Sequence, residues 1–216
     1  GPAWQLEARL SRLEAAGLVF STLALSAHGS SDLFDARAAL AKAELTLDGS
    51  VATPAGDAAW RCEATLALEQ SRQSTLRIGR CAAMLGGGQI EANSPVTLRL
   101  DAALAPLELL GEGGSLQARD LALGDWSLER AEATLPPGPL REAATGALAL
   151  PPTALSASLA HAGSSTRGTF SGRLSRARAD RDGNWSGDLA GTLALQRAPH
   201  VLKPLALDAN FSGDAV

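Results

Sequence analysis

Apolar and polar residues alternate along most of the chain with a period of two residues. In the clearest run, Trp60, Cys62 and Leu66 fall on one side, whereas Arg61 and Glu63 fall on the other. Alternation with this period is typical of a β-strand that has one dry face and one wet face. The pattern therefore predicts a strand that is covered on one side only.

A second strand follows after four polar residues at 70–73, which predict a turn. It carries Leu76 and Ile78, so segment 59–81 is expected to form a hairpin whose dry side also includes Leu68. Several other segments alternate in the same way, among them 96–102 and the pair 170–179 and 185–195 around Asp182-Gly183, a strong hairpin signal.

The two cysteines lie near the outer ends of the 59–81 hairpin. Placing Cys62 opposite Cys81 sets a register that mixes the faces of the inner residues, whereas pairing Leu66 with Ile78 packs those residues better. One extra residue around Gly79-Arg80 reconciles the two registers, because a bulge moves every later residue of its strand to the other face. We therefore predict a bulge there and a disulfide, which would indicate an oxidising compartment. Two independent buried thiols are the alternative.

About a dozen strands at regular spacing predict an all-β fold, an antiparallel meander that forms an open curved sheet or groove. In two segments the pattern is also compatible with a helix. Residues 4–10 alternate, but Leu6, Leu10 and Leu13 also fit helical spacing, and 102–110 is the best candidate for a short helix or an apolar clip, interrupted by Pro106. We expect a strand at 4–10 and at most one or two short helices in the chain.

Composition narrows the class of partner. Hydrophobic residues make up 45% of the chain, yet aromatic residues make up only 4% and tyrosine is absent, so Ala and Leu supply the apolar faces. The net charge of −4 comes from interspersed charges without a basic patch, which argues against nucleic acid as a partner. The apolar faces either line an open cavity or pack on one another as a closed sandwich core.

No catalytic signature, metal-ligand spacing or cofactor motif is recognisable. His28, His161 and His200 are scattered, and none belongs to a known catalytic or metal-binding spacing. The glycines at 86–88 lack the Lys-Ser/Thr of a phosphate loop and predict a hairpin turn instead. We therefore expect neither catalytic nor metal residues, no cofactor, and a protein that is not an enzyme.

The ends of the sequence suggest a fragment. Gly1-Pro2 resembles the scar left by removal of a tag, and segment 210–216 stops without a natural ending. We therefore expect residues 3–216 to form a single β-rich fragment of a longer protein. The sequence contains no apolar run of about 18 residues or more.

Leu-x-Leu strands spaced by Gly and acidic turns and punctuated by Trp recur along the chain. They are LSRLEAAGLVFSTLAL at 10–25, PVTLRLDAALAPL at 95–107, SLQARDLALGDWSL at 115–128 and GNWSGDLAGTLAL at 183–195. This texture resembles the periplasmic β-rich proteins of the AsmA/TamB superfamily, especially the YdbH-type intermembrane phospholipid transport proteins. Type II secretion protein N, a component of a secretion machine, shares much of it.

The resemblance to the AsmA/TamB superfamily implies a periplasmic β-groove, tethered to the inner membrane by a segment absent from this sequence, that carries phospholipid acyl chains between the two membranes. The expected lining residues are Leu66, Leu68, Leu76, Ile78, Leu98, Leu100, Leu189 and Leu193. The resemblance to secretion protein N implies instead a structural or assembly module with envelope protein partners and no lipid cargo.

Overall fold

In the computed structural model, the described residues form β-strands joined by turns and loops. It describes residues 4–10, 13–15, 18–29, 40–53, 56–69, 74–142, 145–179, 184–197 and 200–213, and these contain no helix. The strands form one antiparallel sheet that is open and is not closed into a barrel. The predicted all-β class and the open antiparallel meander are confirmed.

Within the described ranges, the sheet has eighteen strands. They are β1 (Trp4–Leu10), β2 (Leu13–Ala15), β3 (Leu18–Gly29), β4 (Leu40–Thr53), β5 (Gly56–Glu69), β6 (Ser74–Leu85), β7 (Gly88–Ala92), β8 (Val96–Leu100), β9 (Pro106–Leu110), β10 (Gly114–Leu123), β11 (Trp126–Leu135), β12 (Gly138–Pro139), β13 (Leu148–Ala149), β14 (Thr153–His161), β15 (Thr166–Ala179), β16 (Trp185–Arg197), β17 (His200–Val201) and β18 (Leu205–Gly213).

Some consecutive strands are two halves of one interrupted run. For example, β6 pairs with β7 through its second half and with β8 through its first half, so β7 and β8 continue one another. The same holds for β1 with β2, β9 with β10, β11 with β12, β13 with β14, and β17 with β18. Each run pairs with the next along the chain, which is a simple up-and-down meander.

The two segments for which helix was considered are both extended. Residues 4–10 form β1, so the expected strand is confirmed there. The helix considered at 102–110 is wrong, because this segment is a tight turn followed by β9. The carboxylate of Asp101 accepts hydrogen bonds from the backbone N–H groups of Ala103 and Ala105, and Leu104 has a positive φ of 61°. This local bonding holds the backbone in a turn.

The hairpin of β5 and β6 has the predicted bulge but a different inner register. Cys62 lies opposite Cys81, with Cα atoms 4.1 Å apart, and the two form a disulfide. On the turn side, Ala64 faces Ile78 and Leu66 faces Leu76, so the predicted pairing of Leu66 with Ile78 is wrong. Gly79 is the extra residue, and glycine suits a bulge because it has no side chain to misplace. The turn residues 70–73 and 182–183 lie outside the described residues.

The molecule exposes much more surface than a compact protein of its size. Its accessible surface is 13,630 Å², against roughly 9,300 Å² for a compact monomer of its 22.1 kDa. No large hydrophobic side chain among the described residues is fully buried. The deepest leucines among the described residues, Leu100, Leu109 and Leu140, are 4%, 3% and 5% exposed. In the described part of the chain, the other buried apolar residues are Leu128, at 9%, and five alanines on several strands and loops, so large buried side chains are few.

Candidate functional site

The strand registers place one set of residues on the same face of every run. Directly paired residues in antiparallel strands direct their side chains to the same side of the sheet. One row of paired backbone positions crosses the whole sheet without a charged residue: Leu10, Leu23, Gly49, Trp60, Ala83, Ile90, Ala118, Ala131, Ala157, Phe170, Leu193 and Leu205. The side chains of Leu10 and Leu23 lie outside the described residues. We call the side of the sheet that carries this row the apolar face.

Neighbouring rows on the apolar face have the same character. In the first half of the sheet, a second row joins Ala43, Leu66, Leu76, Leu98 and Leu109. In the second half, another joins Leu128, Leu159, Gly168 and Leu195. The alternation in the sequence has thus assembled a continuous apolar surface rather than separate patches.

The opposite face is polar and carries cross-strand ion pairs. His28 lies 3.0 Å from Glu44 on the next strand, and Arg99 lies 2.8 Å from Glu108. These side chains are well exposed, so the pairs contribute little to stability, of the order of 0–1 kcal/mol each. Their main consequence is that this face is hydrated, which makes the sheet amphipathic as a whole.

The structure brings most of the predicted lining residues together. Leu66, Leu76 and Leu98 form one row, Ile78 lies beside them opposite Val96, and Leu100 closes the β8 end. Leu68 lies opposite Ser74, although its side chain is outside the described residues. Leu189 and Leu193 share the face but lie on β16, with the runs from β9 to β15 between them and the others.

Sequence reasoning did not select the residues that join these two groups. Ile90, Ala118, Ala131, Ala157 and Phe170 bridge the halves of the face. The signal was present, because each belongs to an alternating run, but three of the five are alanines, and a search for large side chains passes over them.

Aromatic rings on the apolar face lie across glycines of the sheet. A Cβ added to Gly29 would come within 2.5 Å of the Trp4 ring, one at Gly49 within 2.6 Å of Trp60, and one at Gly187 within 2.7 Å of Phe211. Phe170 covers Gly172 and Gly191 in the same way. Each ring fills the space that a side chain would occupy at the glycine, so the ring lies close against the backbone of the sheet.

Alanines form the floor of a depression in the middle of the apolar face. Its volume is about 210 Å³ and its lining is almost wholly apolar. The residues around it come from β7, β10, β11, β14 and β15: Ile90, Leu116, Gln117, Ala118, Ala131, Glu132, Ala133, Leu155, Ser156, Ala157 and Phe170. The Leu116 side chain at its rim is 42% exposed. Small side chains between larger ones thus leave a shallow apolar depression.

The described residues offer few alternatives to this surface. None of them forms a group of three or more His, Cys, Asp or Glu side chains arranged to hold a metal ion. His28 pairs with Glu44, and the His161 ring packs edge-on against Trp126 with centroids 5.0 Å apart. In the described part of the chain, no helix of the length and apolarity needed to cross a membrane occurs.

Comparison of the chain with known protein families, with curated proteins and with solved structures finds no match in any of the three. The apolar face is therefore the feature on which a functional proposal has to rest.

Proposed function

We propose that the apolar face holds phospholipid acyl chains, and that the protein is a segment of an envelope bridge that carries lipid between the inner and outer membranes. The single observation that supports this is the uncharged row of paired residues that crosses the whole open sheet, from Leu10 to Leu205. An apolar surface of this extent is unusual on a soluble monomer and marks a binding surface.

The energetics are sufficient for such a role. Burying an acyl chain is worth about 0.8 kcal/mol per methylene, so a dozen methylenes would contribute roughly 10 kcal/mol before entropic costs. The polar face, with its ion pairs, would remain in water while the lipid covered the other side.

The proposal places the protein in the periplasm, tethered to the inner membrane by another part of the full protein. The Cys62–Cys81 disulfide is consistent with an oxidising compartment of this kind. The resemblance to the YdbH-type transport proteins points in the same direction.

Site-specific photocrosslinking tests the proposal, because adjacent residues of a strand face opposite ways. A photoreactive residue would replace Leu66, Leu98 or Leu193 on the apolar face, in protein expressed in the envelope of a Gram-negative host. The matched controls are the preceding residues on the polar face, Thr65, Thr97 and Thr192.

We expect lipid adducts, detected by mass spectrometry, at the three leucine positions and few at the threonine positions. Equal labelling of both sets, or none at either, would contradict the proposal. Protein adducts without lipid at the leucine positions would support the alternative role, an assembly module of a secretion machine.

A further inference from the structure

The open sheet has two exposed backbone edges, one formed by β1 and one by β18. Within the described ranges, β1 pairs only with β3, and β18 pairs only with β16. No described strand lies beside the outer edge of either, and an edge of this kind is a template for pairing with another chain. Both edges are accessible, because residues 5–9 of β1 and 205–210 of β18 are exposed.

The first and last runs of the sheet point in opposite directions. Six pairs of the eighteen described strands join end to end, which leaves twelve runs, and each run is antiparallel to its neighbours. Because the number of runs is even, β1 and β18 are antiparallel to each other. A second copy set beside the first in the same orientation would therefore bring its β1 antiparallel to β18 of the first. The meander and the apolar face would continue across the two copies.

The alternation of the two edge strands restricts how they can pair. The even-numbered residues of β1 and the odd-numbered residues of β18 belong to the apolar face, because their backbone positions continue the row through Leu23 and Leu193. Directly paired residues share a face, so only registers that join an even-numbered residue of β1 to an odd-numbered residue of β18 keep the face continuous. One such register sets residues 4–10 opposite residues 213–207, which pairs the whole of β1.

The charges on the polar face favour that register over its neighbours. β1 carries Glu7 and Arg9 on this face, and β18 carries Asp208. The register that pairs 4–10 with 213–207 sets Arg9 directly opposite Asp208. A shift of two residues one way sets Glu7 opposite Asp208, and a shift the other way separates Arg9 from Asp208. Opposite charges directly across two strands stabilise their pairing and like charges weaken it. Among the described residues, neither Arg9 nor Asp208 forms an ion pair within the chain.

The same register covers apolar side chains at both edges. Leu6 of β1 is 52% exposed and Leu207 of β18 is 38% exposed, and each would gain neighbours on the apolar face of the adjoining strand. Trp4 would lie opposite Gly213. Its ring already lies across Gly29 on the inner side, so a second glycine on the outer side leaves the ring unobstructed.

We propose that the outer edges of β1 and β18 form a self-association surface, through which copies of this chain join head to tail into one longer sheet, with Arg9 of one copy opposite Asp208 of the next. A head-to-tail contact of this kind does not close at a dimer, so it produces a series of oligomers. The proposal goes beyond the acyl-binding function and does not depend on it.

Light scattering after size-exclusion chromatography, at increasing protein concentration and without lipid, tests the proposal. The variants are Arg9→Asp and Asp208→Arg, studied singly, mixed with each other, and combined in one chain. Each single variant sets like charges opposite each other, whereas the mixture and the combined variant restore opposite charges. Arg173→Asp is the matched control, because Arg173 is an exposed arginine of the internal strand β15.

We expect the mass of the natural chain to rise with concentration beyond twice the 22.1 kDa of one copy. Each single variant should weaken association about tenfold, because an attractive pair is replaced by a repulsive one. The mixture, the combined variant and the control should associate as the natural chain does. A natural chain that stays monomeric, a mass that stops at a dimer, or equal association by all variants would overturn the proposal and leave the acyl-binding function standing.

Disulfide crosslinking tests the register itself. Ala8 would lie opposite Ala209 of the next copy, and directly opposed Cβ atoms are about 4.5–5.5 Å apart, so Ala8→Cys/Ala209→Cys should give a ladder of linked chains on a non-reducing gel. The control is Ala8→Cys/Ala206→Cys, whose second cysteine lies on the polar face and should link few chains.

Equal ladders from the two cysteine variants would overturn the register. A disulfide within single chains would show that the two edges meet in one copy, which also contradicts the proposal. Thermal unfolding of each variant, followed by circular dichroism, identifies any loss of association that comes from misfolding.

Discussion

At the scale of single residues, glycines of the sheet determine how closely the aromatic rings lie against the backbone on the apolar face. Phe170 lies over Gly172 and Gly191, which oppose each other on β15 and β16. Side chains at either position would lift the ring away from the sheet. These glycines thus make room for the ring and for close approach of the two backbones.

Replacing Gly172 by Ala should therefore destabilise the protein. The new Cβ would lie 2.5 Å from both the Ala190 carbonyl oxygen and the Phe170 ring, so backbone and ring must both shift. We expect the free energy of unfolding, measured with urea, to fall by about 1–3 kcal/mol, the usual cost of overpacking. The control is Gly79→Ala, whose Cβ would meet only the Glu63 carbonyl, at 3.8 Å. Equal stability of the two variants would contradict this account.

At the scale of elements, the β5–β6 hairpin shows what the sequence could and could not specify. The alternation and the cysteine positions predicted both strands, the disulfide and the bulge near Gly79. The sequence could not specify the inner register, because Leu66 packs as well against Ile78 as against Leu76, and no neighbouring residue distinguishes the two pairings. At 102–110 the apolar residues suggested a short helix, whereas hydrogen bonds to the side chain of Asp101 specify a turn.

The same limit applies to the candidate site. The sequence predicted individual lining leucines but not that unbroken rows would join them, because rows depend on pairing between distant strands. It gave no sign of the bulge in β15 either, where the register with β16 shifts between Ser175 and Arg178. Segment 170–179 alternates regularly in sequence, and the positive φ of Arg176 appears only in the folded sheet.

The disulfide should contribute substantially to the stability of this hairpin and of the sheet around it. It links residues 19 positions apart, for which loop-closure entropy predicts about 3 kcal/mol. We expect reduction with dithiothreitol to lower the free energy of unfolding by about this amount in urea titrations.

The double variant Cys62→Ala/Cys81→Ala provides the control for reduction. Its stability should match that of the reduced protein and should not respond to dithiothreitol. A disulfide that adds no stability would leave both titrations of the natural chain superimposed.

At the scale of the whole molecule, the protein is a single amphipathic sheet with little core. Its runs are held by backbone pairing with their neighbours, and the apolar side chains pack laterally along one face. Near the β18 edge of the sheet the apolar side chains pack less closely, and Leu205 on β18 is 52% exposed. An architecture of this kind tolerates added bulk on its apolar face much better than a closed core does.

Filling the alanine depression tests that architecture directly. A leucine side chain at position 131 or 157 would project into this depression, which has a volume of about 210 Å³ and is open to solvent. We expect Ala131→Leu and Ala157→Leu to change the free energy of unfolding by less than about 0.5 kcal/mol, as substitutions outside a packed core usually do. Both should also weaken binding of dioctanoylglycerol, because the added side chain occupies the depression.

The matched control is Ala177→Leu, at an alanine that is 8% exposed and packs against Gly187. Overpacking there should cost about 1–3 kcal/mol. If leucine at Ala131 and Ala157 destabilises the protein as much as it does at Ala177, the apolar face is a filled core in solution, and acyl chains have no place on it. If stability is kept and dioctanoylglycerol binding is lost, the face is an open surface whose small residues make room for lipid.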